Sequence, residues 1–113
     1  MVDTGASYHA TPRREFFTSY RTGDLGVIRM ENNGVSNICG IGEVVVQTRE
    51  GSRLILKEVR HVPDLRMNLI SAGKLDEEGY VSQFEGDQWK LIKGAMVIAK
   101  GQRSCILYKL QSS

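Results

Sequence analysis

The stretch Val2-Asp3-Thr4-Gly5-Ala6-Ser7 places a single carboxylate on a turn, three residues into a 113-residue chain. Val2 suits the end of a buried strand. Thr4 can brace the turn with its hydroxyl, and Gly5 lets the backbone come close to the carboxylate. Asp-Thr-Gly is also an ordinary solvated turn, so the surrounding chain decides between the two readings. Only Met1 and Val2 precede Asp3. Two residues cannot supply the full strand that a centrally held loop needs, so we expect this strand to begin upstream, the chain being a fragment or a shortened reading frame.

Outward from the turn, Pro12 pushes Thr11 away from helical geometry, so residues 7–12 are expected as extended or turning chain. His9 lies six residues after Asp3. It reads as a structural imidazole bonded to a backbone group, although it could sit near the turn. Residues 13–20 (RREFFTSY) suggest a short helical turn with Phe16, Phe17 and Tyr20 packing inward. Residues 26–41 (GVIRMENNGVSNICGI) contain Asn33-Gly34, the pair favoured in a type I′ hairpin because both central residues need positive φ. The runs Val44-Val45-Val46 and Leu54-Ile55-Leu56 predict two strands, residues 42–48 and 53–62, buried on both faces. Pro63-Asp64-Leu65 then breaks the ladder.

Residues 68–71 (NLIS) predict a short buried strand running directly into a short helix, with Ser71 as N-cap and Gly79 as the stop. Asp76-Glu77-Glu78 reads as the solvated face of that helix. Residues 80–84 and 88–92 form a hairpin around Glu85-Gly86-Asp87. Further strands are expected at 95–100 and 105–110, with Trp89 in the core. About eight short strands at turn spacings near ten residues predict a mainly β, closed or partly closed small barrel with one short helix.

Composition narrows the function classes. Apolar residues make up 41% and charged residues 25% of a chain long enough for one domain, residues 1–113. The net charge of +2 is interspersed, which gives no basic stripe for nucleic acid. Cys39 and Cys105 form no C-x-x-C pair, so neither zinc nor a structural disulfide is implied, and a reducing compartment is expected. No apolar run approaches the roughly 20 residues of a membrane-spanning helix.

Three features recur in one order: DTGAS-x-H at 3–9, the hairpin at 26–42, and VRHVPDLRMNLIS at 59–71. Together they resemble the protease region of copia-type retrotransposon Pol polyproteins, within the retroviral-type aspartic proteases. The resemblance runs from Val2 to about Tyr108, and residues 101–110 (GQRSCILYKL) are similar to the start of the segment leading toward integrase.

The resemblance implies that Asp3 is the catalytic carboxylate, with Thr4 and Gly5 completing the triplet. It implies that the hairpin carrying Asn32, Asn33, Gly34 and Val35 is a substrate-covering flap, and that Leu69, Ile70 and Ser71 pass behind the active-site loop. Ser71 stands where retroviral proteases usually have glycine. Residues 81–84 would correspond to the strand used at the dimer interface, and the strands after Ile92 have no counterpart in the short retroviral enzymes. With one Asp-Thr-Gly per chain, the implied chemistry needs a homodimer that brings two carboxylates together. The implied substrate is the surrounding polyprotein and the implied setting a cytoplasmic virus-like particle. No cofactor, metal, membrane or direct nucleic-acid partner is expected. The competing reading is a catalytically inert β-barrel module derived from such a polyprotein.

Overall fold

In the computed structural model, residues 2–3, 8–29 and 34–102 are described. They are mainly β, with ten strands and one short helix. In chain order these are β1 (Val2–Asp3), β2 (Ala10–Thr11), β3 (Val27–Arg29), β4 (Val35–Asn37), β5 (Gly40–Gln47), β6 (Arg53–His61), β7 (Ile70–Ser71), α1 (Ala72–Glu77), β8 (Val81–Glu85), β9 (Gln88–Lys93) and β10 (Met96–Gln102). A single 3₁₀ turn, Arg14–Phe16, stands where the short helical turn was expected. The expected final strand at 105–110, with Cys105, lies outside the described residues.

Among the described residues the strand ladders do not close into a barrel, where a closed or partly closed one was expected. Among the described residues they form four sheets, β1-β7, β10-β9-β8, β2-β6-β5 and β3-β4. Two of the pairings, β1 with β7 and β2 with β6, are parallel and only two residues long. Such short parallel contacts join segments distant in sequence and do not propagate a ladder around a barrel.

Side-chain packing ties the sheets together. The main core gathers Val44 and Val46 of β5, Leu54, Leu56 and Val59 of β6, Ile70 of β7 and Leu75 of α1, together with Trp89, Leu91, Ile98 and Ala99 of the last two strands. A second cluster, Ala10, Ile38 and Val62, is flanked by Tyr8, Leu25, Ile28, Leu65 and Leu69. Leu69 and Ile70 thus point to opposite clusters, as period-two alternation requires. The same alternation corrects the expectation for the two apolar runs. Val45 is only half-buried, and its partner Ile55 is 36% exposed. A continuous apolar run here marks one buried face and one partly wet face.

Phe16 and Phe17 pack on the main core. The chain from Phe17 to Arg21 lies flush on β5, with bridges from Phe17 to Val44 and from Arg21 to Ile41. Thr18 N–H donates to the Glu43 carbonyl at 2.9 Å, and Glu43 N–H donates to Ser19 Oγ at 3.2 Å. This approach is possible because β5 carries glycine on that side. A Cβ at Gly42 would sit 1.9 Å from the Ser19 carbonyl oxygen, and one at Gly40 would sit 2.2 Å from the Tyr20 ring.

The helix follows its sequence signals. Ser71 caps it, its Oγ accepting from Lys74 N–H, and Gly79 beyond the last turn has φ of 90°, the left-handed conformation glycine adopts most readily. Gly42→Ala is expected to lower stability by about 1–3 kcal/mol through forced backbone displacement. Gly73→Ala, in a helix position where an added Cβ meets nothing closer than Ser71 Oγ at 3.8 Å, is expected to raise it by about 0.5 kcal/mol. Urea midpoints of the two variants should therefore move in opposite directions.

Candidate active site

Two attachments converge on Ser71 from either end of the segment that carries the Asp-Thr-Gly triplet. Upstream, β1 lies parallel to β7, with Val2 opposite Ile70 and Asp3 opposite Ser71. Downstream, Ser71 N–H donates to Nδ1 of His9 at 3.0 Å. Thr4 and Gly5, between those two attachments, lie outside the described residues, and Asp3 is placed by its backbone.

The downstream attachment is one of three in register. Thr11 Oγ1 donates to Asn68 Oδ1. Ala10 and Leu69 exchange both backbone hydrogen bonds, at 2.9 and 2.8 Å. His9 then takes the Ser71 N–H. Three successive residues therefore hold the segment from Asn68 to Ser71 by side chain, main chain and side chain. The same three residues are held on their other side by β6 and the residue after it, through Arg60 N–H to the His9 carbonyl and Val62 N–H to the Thr11 carbonyl, both at 3.0 Å. The family resemblance implied that Leu69, Ile70 and Ser71 pass behind the turn. It did not reveal Ala10, Thr11 and Asn68, whose signal is small polar residues embedded in apolar segments.

His9 is 1% exposed. Because Nδ1 accepts the Ser71 proton, the neutral ring carries its own proton on Nε2, which has no hydrogen-bond partner among the described residues. Burial, and after it the nearby charges of Lys74 and Arg60, push the imidazole down from 6.5 to about 4. Lys74 in turn faces Glu58 at 3.1 Å and Glu77 at 3.8 Å, and its hydrogen bond and charge hold the Glu58 carboxyl below its usual range. Arg60 stacks over the Tyr8 ring at 4.2 Å. Glu58 itself has φ of 54°, at an irregularity in the β5–β6 ladder.

The hairpin expected as a flap is present as β3 and β4, with Ile28 opposite Ser36 and Arg29 opposite Val35. Asn32 and Asn33 lie outside the described residues. A two-residue type I′ turn at Asn33-Gly34 would pair Val35 with Asn32, but its partner is Arg29. The register follows the buried face instead, which packs Ile28 against the cluster shared with Leu69. Gly34 precedes β4, and Val35 is 60% exposed.

A family profile described as "Pol polyprotein, beta-barrel domain" matches residues 1–80 of this chain. The match ends just before β8. The chain is also 52% identical over 109 residues to the "Retrovirus-related Pol polyprotein from transposon TNT 1-94" of Nicotiana tabacum, covering 96% of this chain and 8% of that polyprotein. It therefore spans a small part of the relative's length. No solved structure matches.

The buried imidazole makes stability depend on pH with a definite sign. Between about 4 and 6.5 the unfolded chain binds more protons at His9 than the folded one, so stability rises with pH. This contribution is complete above 6.5 and falls away as the pH drops toward 4, by about 3 kcal/mol in all. Urea midpoints should fall more steeply over this range in the wild type than in His9→Asn, whose side chain does not titrate.

Proposed function

The chain belongs to the Pol polyprotein, β-barrel domain family, and from that premise we propose that it is the aspartic endopeptidase region of a copia-type retrotransposon polyprotein. The observation that carries this reading is the Asp3–Ser71 pairing. It sets the backbone of Asp3 beside β7, whose Ile70 is fully buried.

The chemistry follows from two carboxylates sharing one proton. Like charges a few ångström apart cannot both ionise, so the pair holds one proton and titrates as a unit. The ionised member takes a proton from water as that water attacks the peptide carbonyl. The protonated member gives its proton to the carbonyl oxygen, and the amine leaves protonated. One chain supplies one triplet, so the active form is a homodimer with Asp3 and its symmetry mate at the two-fold axis. The β3–β4 hairpin serves as the cover that excludes water from bound polypeptide. The substrate is the polyprotein that surrounds this region.

A second reading is an inert β module of the same polyprotein. It draws on the family description, which names a barrel domain and no activity. Size and inhibition separate the two. The endopeptidase sediments as a dimer, binds pepstatin and cuts polyprotein-derived peptides. Asp3→Asn abolishes the cutting while leaving the far-ultraviolet dichroism unchanged. Retained cleavage in that variant, or a monomer that neither cuts nor binds pepstatin, would sink the assignment.

A further inference from the structure

The geometry points to His9 as a positioning residue: by accepting the Ser71 N–H, its imidazole fixes the downstream end of the Asp3-bearing segment to the same residue that pairs with the upstream end. The catalytic consequence rests on the endopeptidase reading above. The clamp itself does not.

Three observations converge on this role. Asp3 and His9 are six residues apart in sequence, yet both meet Ser71, one by strand pairing and one by a side chain. His9 is also a crosslink between sheets, because its carbonyl accepts from Arg60 N–H of β6 while its ring accepts from Ser71 of β7. The bond is buried, so water cannot readily replace it when it is lost. An unattached segment of this length would sample many arrangements. Closing it onto one residue restricts where its carboxylate can lie, which is what two carboxylates meeting across a two-fold axis require.

The clamp works in one protonation state only. A protonated ring has two N–H donors and no lone pair for Ser71, and it would face the Ser71 donor directly. Among the described residues, the charges nearest it also oppose protonation. Lys74 approaches from α1 and Arg60 from β6, while the acids Glu58 and Glu77 are engaged with Lys74. Acid therefore releases the downstream end of the segment, even where the remainder of the fold persists.

The experiment uses the full chain, labelled with nitrogen-15, as wild type, His9→Asn and His9→Leu. In Asn, Oδ1 occupies the place of Nδ1 and accepts without titrating; Leu keeps the bulk and removes the acceptor. The wild-type ring should show the Nε2–H tautomer near neutral pH. Ser71 amide exchange, corrected for intrinsic rates, should be about tenfold faster in His9→Leu, while amides of β9 are unchanged. His9→Asn should keep the protection and lose its acid-dependent step.

An Nδ1–H tautomer would overturn the clamp, as would equal Ser71 protection in folded wild type and His9→Leu. If His9→Leu does not fold, His9→Asn decides: persistence of the acid step in that variant overturns it. In cleavage assays, His9→Leu should lose kcat with little change in KM, and His9→Asn should restore it. Unaltered kcat in a His9→Leu chain with an unprotected Ser71 amide removes the positioning role. A clamp signature in a wild-type chain that cuts nothing retires the endopeptidase reading alone.

Discussion

The hydrogen bond from Ser71 N–H to His9 is the constraint on which the described site depends. Ser71 is where a strand, a helix and two distant pieces of chain meet. Its backbone lies opposite Asp3, its N–H enters the His9 ring and its Oγ caps α1 through Lys74. Each engagement limits the others. A shift of β7 by one residue would exchange Leu69 and Ile70 between the two apolar clusters and break the cap. Because Ile70 is fully buried in the main core, that shift would put a side chain of different shape in its closely packed place. Hydrophobic packing thus sets the register, and the register places Ser71 where both ends of the Asp3 segment reach it.

A second set of constraints keeps the surroundings of His9 in place. The irregularity in the β5–β6 ladder lets Glu58 adopt positive φ and present its carboxylate to Lys74, which links β6 to α1. Non-glycine residues in that conformation carry a cost of order 1 kcal/mol, held here by the surrounding ladder. Gly40 and Gly42 admit the chain from Phe17 to Tyr20, and Tyr20 shares a hydrogen bond with His61 at 2.6 Å. The last two strands add Trp89, Leu91, Ile98 and Ala99 to the same core that holds Ile70, although the family match stops at residue 80. The site's apolar backing therefore draws on chain beyond the matched region.

Much of this was legible in the sequence, for identifiable reasons. Ser71 and Gly79 bracket α1 because cap chemistry is local, needing only a hydroxyl at one end and positive φ at the other. Trp89, the β8–β9 hairpin and the strand that became β10 followed from alternation and turn glycines, with Gly86 and Gly94 both at positive φ. Long-range pairing was not legible. Nothing local in Ala10 or Thr11 announces a parallel partner fifty residues away, and the four separate ladders depend on such pairings. Turn chemistry at Asn33-Gly34 marked the hairpin, but the pairing of Arg29 with Val35 is a register that the turn signal alone does not specify. His9 was read correctly as bonded to a backbone group, but its partner's identity, and with it the connection to Asp3, is tertiary.

The two protonation demands of the proposed enzyme fit together only because His9 is buried. A carboxylate dyad acts while it holds a single proton, and mutual repulsion extends that state upward in pH by raising the second ionisation. The clamp acts while the imidazole is neutral. An exposed histidine, titrating near 6.5, would be charged through much of the range in which a dyad is singly protonated, so chemistry and positioning would exclude each other. Withdrawing His9 from water, with Lys74 and Arg60 adding their repulsion, brings its titration down to about 4. In the proposed dimer that would widen the range in which the ring is neutral while the dyad holds its proton. The positive charges near His9 thus favour the clamp: they disfavour protonation of the ring and so keep its lone pair available to Ser71.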